Sequence, residues 1–171
     1  MIEYKLRMST WYSLIGFGPP GDDHVGIEDT DKLRQVGSLL ILNIDRAGGF
    51  AVITATHTGY VNVSNRSWAV SEIVAAAPED WEDSATASFE SPTGELIAQN
   101  TGMDGDMSPN LLDGAGLYAF GILARGRDGA PPADLNATGS DAHFLNLWPI
   151  RQQIADRWMT RSRYGGEVET W

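Results

Sequence analysis

The chain has 171 residues, 42% of them hydrophobic, with six tryptophans and no cysteine. That length suits one domain with a substantial core, and the missing thiols exclude disulfides and thiolate metal sites. A formal net charge of −11 opposes nucleic acid, which is bound chiefly through cationic contacts to phosphate, and opposes anionic membrane surfaces equally.

Residues Met1 to Arg7 lack the apolar core of a signal peptide. No run reaches the length needed to span a bilayer, so a cytoplasmic location is expected. Tyr4 to Met8 alternates with period two, and Trp11 to Phe17 continues as a second extended run before the Gly16–Gly21 loop. Val36 to Ile44 reads as a buried strand, Ala47-Gly48-Gly49 as a turn, and Phe50 to Thr56 as the second arm of a hairpin. Tyr60 to Val63 alternates again. Ala69 to Ala76 is short enough for helix or strand, and its β-branched residues favour strand. Ala85–Glu90 and Glu95–Gln99 flank a turn at Ser91–Gly94, residues 100–116 form a polar loop, and Leu117–Ala124 is a strand. A Gly/Pro-rich connection over 126–139 precedes the last strand, His143–Trp148, in which Leu147 and Trp148 should face opposite sides.

In the tail, Ile150, Ile154 and Trp158 recur every four residues among arginines. This spacing predicts an amphipathic helix over about 150–163 with Ile154 and Trp158 buried. Nine or ten short strands followed by one helix read as a mainly β, two-sheet antiparallel sandwich of jelly-roll or Greek-key type. The expected organisation is a sandwich over 1–149 with the helix and tail, 150–171, packed on it.

Between Ser67 and Ala124 stand ten acids and no lysine or arginine. Such density weakens the compact state by self-repulsion; it serves either a binding field or solubility. The densest patch is Glu79, Asp80, Trp81, Glu82 and Asp83, an aromatic ringed by carboxylates, which has the composition of a hot spot for a basic partner. Its bland reading is a loop in which Trp81 caps the core. Asp104 and Asp106 extend the acidic surface in the 100–116 loop, but Pro109 and Ala115 stand where a calcium loop requires glycine and an acid. Three histidines, His24, His57 and His143, lie far apart with no ligand spacing, and no cofactor is implied. No nucleophile signature is present.

Leu112–Tyr118, Leu123–Asp128 and Phe144–Pro149 resemble the ending G-x-Y…A-R-G-R-D…L-x-L-W-P of a group of uncharacterised bacterial β-sandwich proteins. The order of strands and glycine hairpins is similar to that of the ComJ family of competence-nuclease inhibitors. The resemblance implies a sandwich fold and inhibitory binding. At the end of their strand, Arg125, Arg127 and Asp128 suit a structural role, the arginines holding loop carboxylates in bidentate fashion; Trp148 is likewise assigned to structure. The leading expectation is a non-enzymatic acidic protein that inhibits, or gives immunity to, a basic nuclease or toxin, binding neither nucleic acid nor membrane. The alternatives are a cupin-like barrel enzyme holding a metal or small ligand on the three histidines, and a structural or phage-assembly protein.

Overall fold

The computed structural model describes residues 2–10, 14–20, 33–43, 48–56, 59–67, 80–99, 108–129 and 138–168. Two sheets face each other. In chain order the strands are β1 (Ile2–Thr10), β2 (Leu14–Gly18), β3 (Leu33–Val36), β4 (Leu40–Asn43), β5 (Phe50–Ile53), β6 (Gly59–Ser67), β7 (Asp83–Ser91), β8 (Ile97–Gln99), β9 (Gly116–Arg125), β10 (Thr138–Pro149) and β11 (Arg157–Thr160). A 3₁₀ turn at Arg127–Gly129 follows β9, and α1 (Arg163–Val168) follows β11. The six-stranded sheet has the order β1-β6-β10-β9-β7-β11, the five-stranded sheet β3-β4-β5-β2-β8. Every pairing is antiparallel except that of β10 with β6. Among the described residues no helix is long and apolar enough to cross a membrane.

Period-two alternation decides what lies inside. Met8, Val61, Val63, Leu145, Leu147, Phe120, Ile122, Ala87 and Phe89 project from one sheet to meet Ile15, Phe17, Leu40, Leu42, Phe50 and Val52 from the other. Phe50 is the centre, stacked on Phe120 at 4.0 Å and on Phe17 at 4.8 Å, with Phe89 edge-on at 5.5 Å. Offset and edge-on rings at these separations add to the burial of their area. Leu147 belongs to this core, while its neighbour Trp148 lies on the opposite face against Gly121, as alternation requires.

Three sequence expectations are corrected. The run expected as one strand from Val36 is broken over its described residues into the end of β3, a turn and β4, because the chain turns at Gly37 (φ +57°), a left-handed conformation that glycine adopts without penalty. The connection after the 3₁₀ turn is shorter than 126–139, since β10 already begins at Thr138. No helix covers 150–163: Ile150 N–H bonds Leu117 O at 2.9 Å, Ile154 N–H reaches Ser88 Oγ at 3.4 Å, and β11 then pairs with β7. The chain thus crosses β9 and β7 on the outer face, Trp158 is 54% exposed, and Ile154 is half-buried rather than buried. Helical spacing lost to the free edge of β7 and to the Asp83 carboxylate, which accepts the Arg161 and Ser162 amides. The helix that does form is short and lies further on, its first amides held by Asp128 and Ser162.

The turn at Gly94 (φ +75°) presses on the turn at Gly114, and a Cβ there would collide with the Gly114 and Ala115 backbone. Gly94→Ala is expected to cost about 2–4 kcal/mol, combining left-handed strain with overpacking. A fall in the urea midpoint at constant slope is the corresponding signature; an unchanged midpoint would show that the two turns separate freely.

Candidate functional site

The acidic patch of the sequence sits where the chain enters β7, beside the end of β9. Glu82 N–H bonds Ala124 O at 3.0 Å, which aligns residues 80–82 with Arg125. Arg125 Nη1 lies 2.9 Å from Asp80 Oδ2, the two side chains being 50% and 61% exposed. Its guanidinium also covers the Trp81 ring at 5.0 Å, and Trp81 tilts against Phe144 of β10 at 6.2 Å. Trp81 is therefore a half-buried ring between a cation and an aromatic on the outer face of the six-stranded sheet. Glu82 is half-buried and its Oε2 accepts the Arg127 amide at 3.3 Å.

Asp83 has a different fate. It is fully buried and forms an ion pair with Arg127, itself 1% exposed. Its grouping with the surface acids is thereby corrected: β-strand alternation turns it inward. Asp83 Oδ1 accepts the amides of Arg161 (2.9 Å) and Ser162 (3.1 Å), and Oδ2 accepts the Ser162 hydroxyl (2.6 Å). Arg127 donates to Ser38 O at 2.7 Å and Ser38 Oγ at 3.2 Å, and its guanidinium covers the Tyr164 ring at 4.8 Å. Burial pushes the Asp83 carboxyl up, but the Ser162 hydrogen bonds and then the Arg127 guanidinium outweigh it and hold the group below its ordinary range. One ion pair joins β7, the β3–β4 turn, the 3₁₀ turn and the tail.

Asp128, exposed, accepts the Tyr164 amide at 2.8 Å and the Arg163 amide at 3.1 Å, and these bonds lower its pKa. Trp148 is buried on the outer face, its ring against Gly121. Glu79, Asp104, Asp106, His24, His57 and the Ala69–Ala76 segment lie outside the described residues. Among the described residues, no group of three metal-ligating side chains converges.

A second polar cluster has no motif to announce it. Asp141 accepts the Ala55 amide at 3.0 Å, the Thr56 amide at 3.5 Å and the Thr56 hydroxyl, and lies 3.1 Å from His143 Nε2. Carboxylate oxygens accept, so His143 serves here as the Nε2–H donor, leaving Nδ1 buried with no partner among the described residues. Burial raises the Asp141 pKa, but the His143 hydrogen bond, then Thr56 and the Ala55 amide, bring it below the ordinary range. Asp141 is 0% and His143 1% exposed, so the cluster faces the interior and ties the end of β5 to β10. The spacing Asp141-x-His143 on one face of an alternating strand was its only sequence signal.

The described acids of the one-signed stretch form no single field. Asp80 is matched by Arg125 and Asp83 by Arg127, the first two arginines after the stretch. Glu90, Glu95 and Asp113 are exposed at the other end of nine-residue β7, roughly 25–30 Å away.

No protein-family description matches this chain, and no curated protein matches it in sequence. Two solved structures are similar. ComJ from Bacillus subtilis, inhibitor of the DNA-degrading activity of NucA, superposes with a TM-score of 0.50 at 12% identity, over 86% of this chain and 96% of its own. The crocagin biosynthetic gene J product gives 0.49 at 13%, over 88% and 100%. At these identities the likeness is one of fold: the chain has a two-sheet sandwich distantly like that of ComJ.

Proposed function

We propose that this chain is a non-enzymatic, inhibitor-type binding protein whose partner is a basic nuclease or toxin. The observation that carries the reading is the likeness in fold, over 86% of this chain, to a protein that inhibits a DNA-degrading enzyme. Charge supports it. A chain of formal charge −11 draws a cationic surface toward itself from beyond contact distance. Exposed Asp80, Glu90, Glu95 and Asp113 then supply carboxylates where a nuclease groove would otherwise hold phosphates. Trp81, pre-positioned between Arg125 and Phe144, is suited to hold the complex once formed, since stacked aromatics act mainly on dissociation.

The test is to recover the partner from source cells by co-purification and follow the complex by surface kinetics at low and high salt. The association rate should fall about tenfold or more between 50 and 500 mM salt. Joint conversion of Glu90, Glu95 and Asp113 to their amides should slow it further, and Trp81→Ala should instead speed dissociation. A complex whose association ignores both salt and the amides contradicts the reading.

A further inference from the structure

The last strand is held by polar seats rather than by the core. Its alternate residues Trp158, Thr160 and Ser162 each meet an element far away in sequence. The Trp158 ring packs on Gly37 of the β3–β4 turn, where a Cβ would collide with it. Thr160 Oγ1 lies 3.0 Å from Ser38 Oγ, and the Ser162 hydroxyl donates to Asp83 Oδ2 at 2.6 Å. Arg157, Arg161 and Arg163, which alternate with them, are exposed. β11 pairs with four of the nine residues of β7, and β7 is paired with β9 along its whole length. Among the described residues the hydrophobic core contains nothing after Leu147, so the tail can leave β7 without dismantling the sandwich.

We infer that the edge of β7, with Gly37, Ser38 and Asp83, is a docking site for an extended basic segment of another protein, of pattern aromatic-x-Thr-x-Ser, and that the tail occupies this site in cis. A strand added to a sheet edge gains affinity from main-chain hydrogen bonds, which almost any sequence supplies, and specificity from alternate side chains. Here the alternate side chains are a ring on a glycine turn and two hydroxyls. The second hydroxyl reaches a buried carboxylate that also accepts the two neighbouring amides. Charge decides between occupants. Residues 1–149 carry eight cationic and twenty acidic residues, a formal charge of −12, whereas residues 150–171 carry four and three. A second copy exchanging its tail would bring its own acidic body against this one, while a basic segment is drawn in. The tail is displaceable because hydrogen bonds at a sheet edge exchange for bonds to water with a small net change, and because Arg157 and Trp158 stay exposed in the docked strand.

This inference rests on the reading of a basic partner, but the two fail separately: a salt-dependent complex with no peptide binding refutes this one alone. The experiment is NMR titration of the full-length ¹⁵N-labelled protein with the capped peptide Arg-Trp-Met-Thr-Arg-Ser-Arg. Saturable shifts are expected at the backbone amides of Gly37 and of residues 83–86. Ser162→Ala loosens the tail at Asp83, and Tyr164→Phe loosens it at Thr54 O, which the Tyr164 hydroxyl reaches at 3.1 Å. Each variant should raise the peptide's affinity about fivefold. The isomer Arg-Trp-Thr-Met-Ser-Arg-Arg, equal in charge but with both hydroxyls on the other face, should bind about fivefold or more weakly. Absence of the shifts in all three proteins, an affinity indifferent to both variants, or equal affinity for the isomer overturns the proposal. A dimer of Ser162→Ala at the titration concentration, with the same amides shifted, also overturns it, assigning the edge to the tail of a second copy.

Discussion

Asp83→Ala should lower the unfolding free energy by about 3–5 kcal/mol, the range for removing one member of a buried ion pair. The variant leaves the Arg127 guanidinium, 1% exposed, without its counter-charge. It also leaves the Arg161 and Ser162 amides and the Ser162 hydroxyl without their acceptor. These groups lie on the tail and at the close of β9, so the loss should be felt first as release of β11 and α1 from the edge of β7. Hydrogen exchange at 157–168 should therefore accelerate more than exchange in β9 or β10. The double change Asp83→Leu with Arg127→Met should recover part of the loss, because two apolar chains leave no buried charge. A single-variant loss below about 1 kcal/mol would mean that water reaches Arg127 and that the ion pair does not hold the tail.

Acid should unfold the protein chiefly through two buried carboxylates. Asp83 and Asp141 both ionise below the ordinary aspartate value of 3.8 in the folded chain. A folded-state pKa below the unfolded one means that the stabilisation is complete above the unfolded value and drains away as pH falls through the folded one. Stability should therefore be flat across neutral pH and fall below about pH 4. Asp141→Asn should cost about 2–4 kcal/mol at pH 7. Its amide carries no charge, and whichever oxygen its NH₂ replaces, either the Thr56 hydroxyl or the Ala55 amide and His143 Nε2 lose their acceptor. The same variant should flatten the acid limb. Urea titrations at pH 7, 5, 4 and 3 on the two proteins measure both effects, and parallel acid limbs would show that Asp141 does not titrate with folding.

These two carboxylates also separate what the chain states locally from what it states only when folded. Alternation marked Tyr4–Met8 and Tyr60–Val63 as strands, short apolar runs bounded by turn residues marked Leu117–Ala124 and His143–Trp148, and these segments lie within β1, β6, β9 and β10. The hairpin was marked by turn residues between two apolar runs, and β4 pairs with β5. Period two is a property of the backbone, so a sequence carries it openly. The two-sheet class followed, because many short half-buried strands have few other ways to bury one face each.

The tail and the acids were decided elsewhere. Ile150, Ile154 and Trp158 have helical spacing, yet 157–160 became strand because β7 offered an unpaired edge and Asp83 an acceptor, groups about 80 residues away in sequence. Asp80 and Asp83 look alike in a list of charges. One is 61% exposed beside Arg125, and the other is sealed against Arg127. Charge composition is a sum over the chain and determined the net field of −11; the partner each carboxylate finds depends on strand register and sheet order. Only the folded sheet lays the tail along β7, and so seats Trp158, Thr160 and Ser162 on Gly37, Ser38 and Asp83.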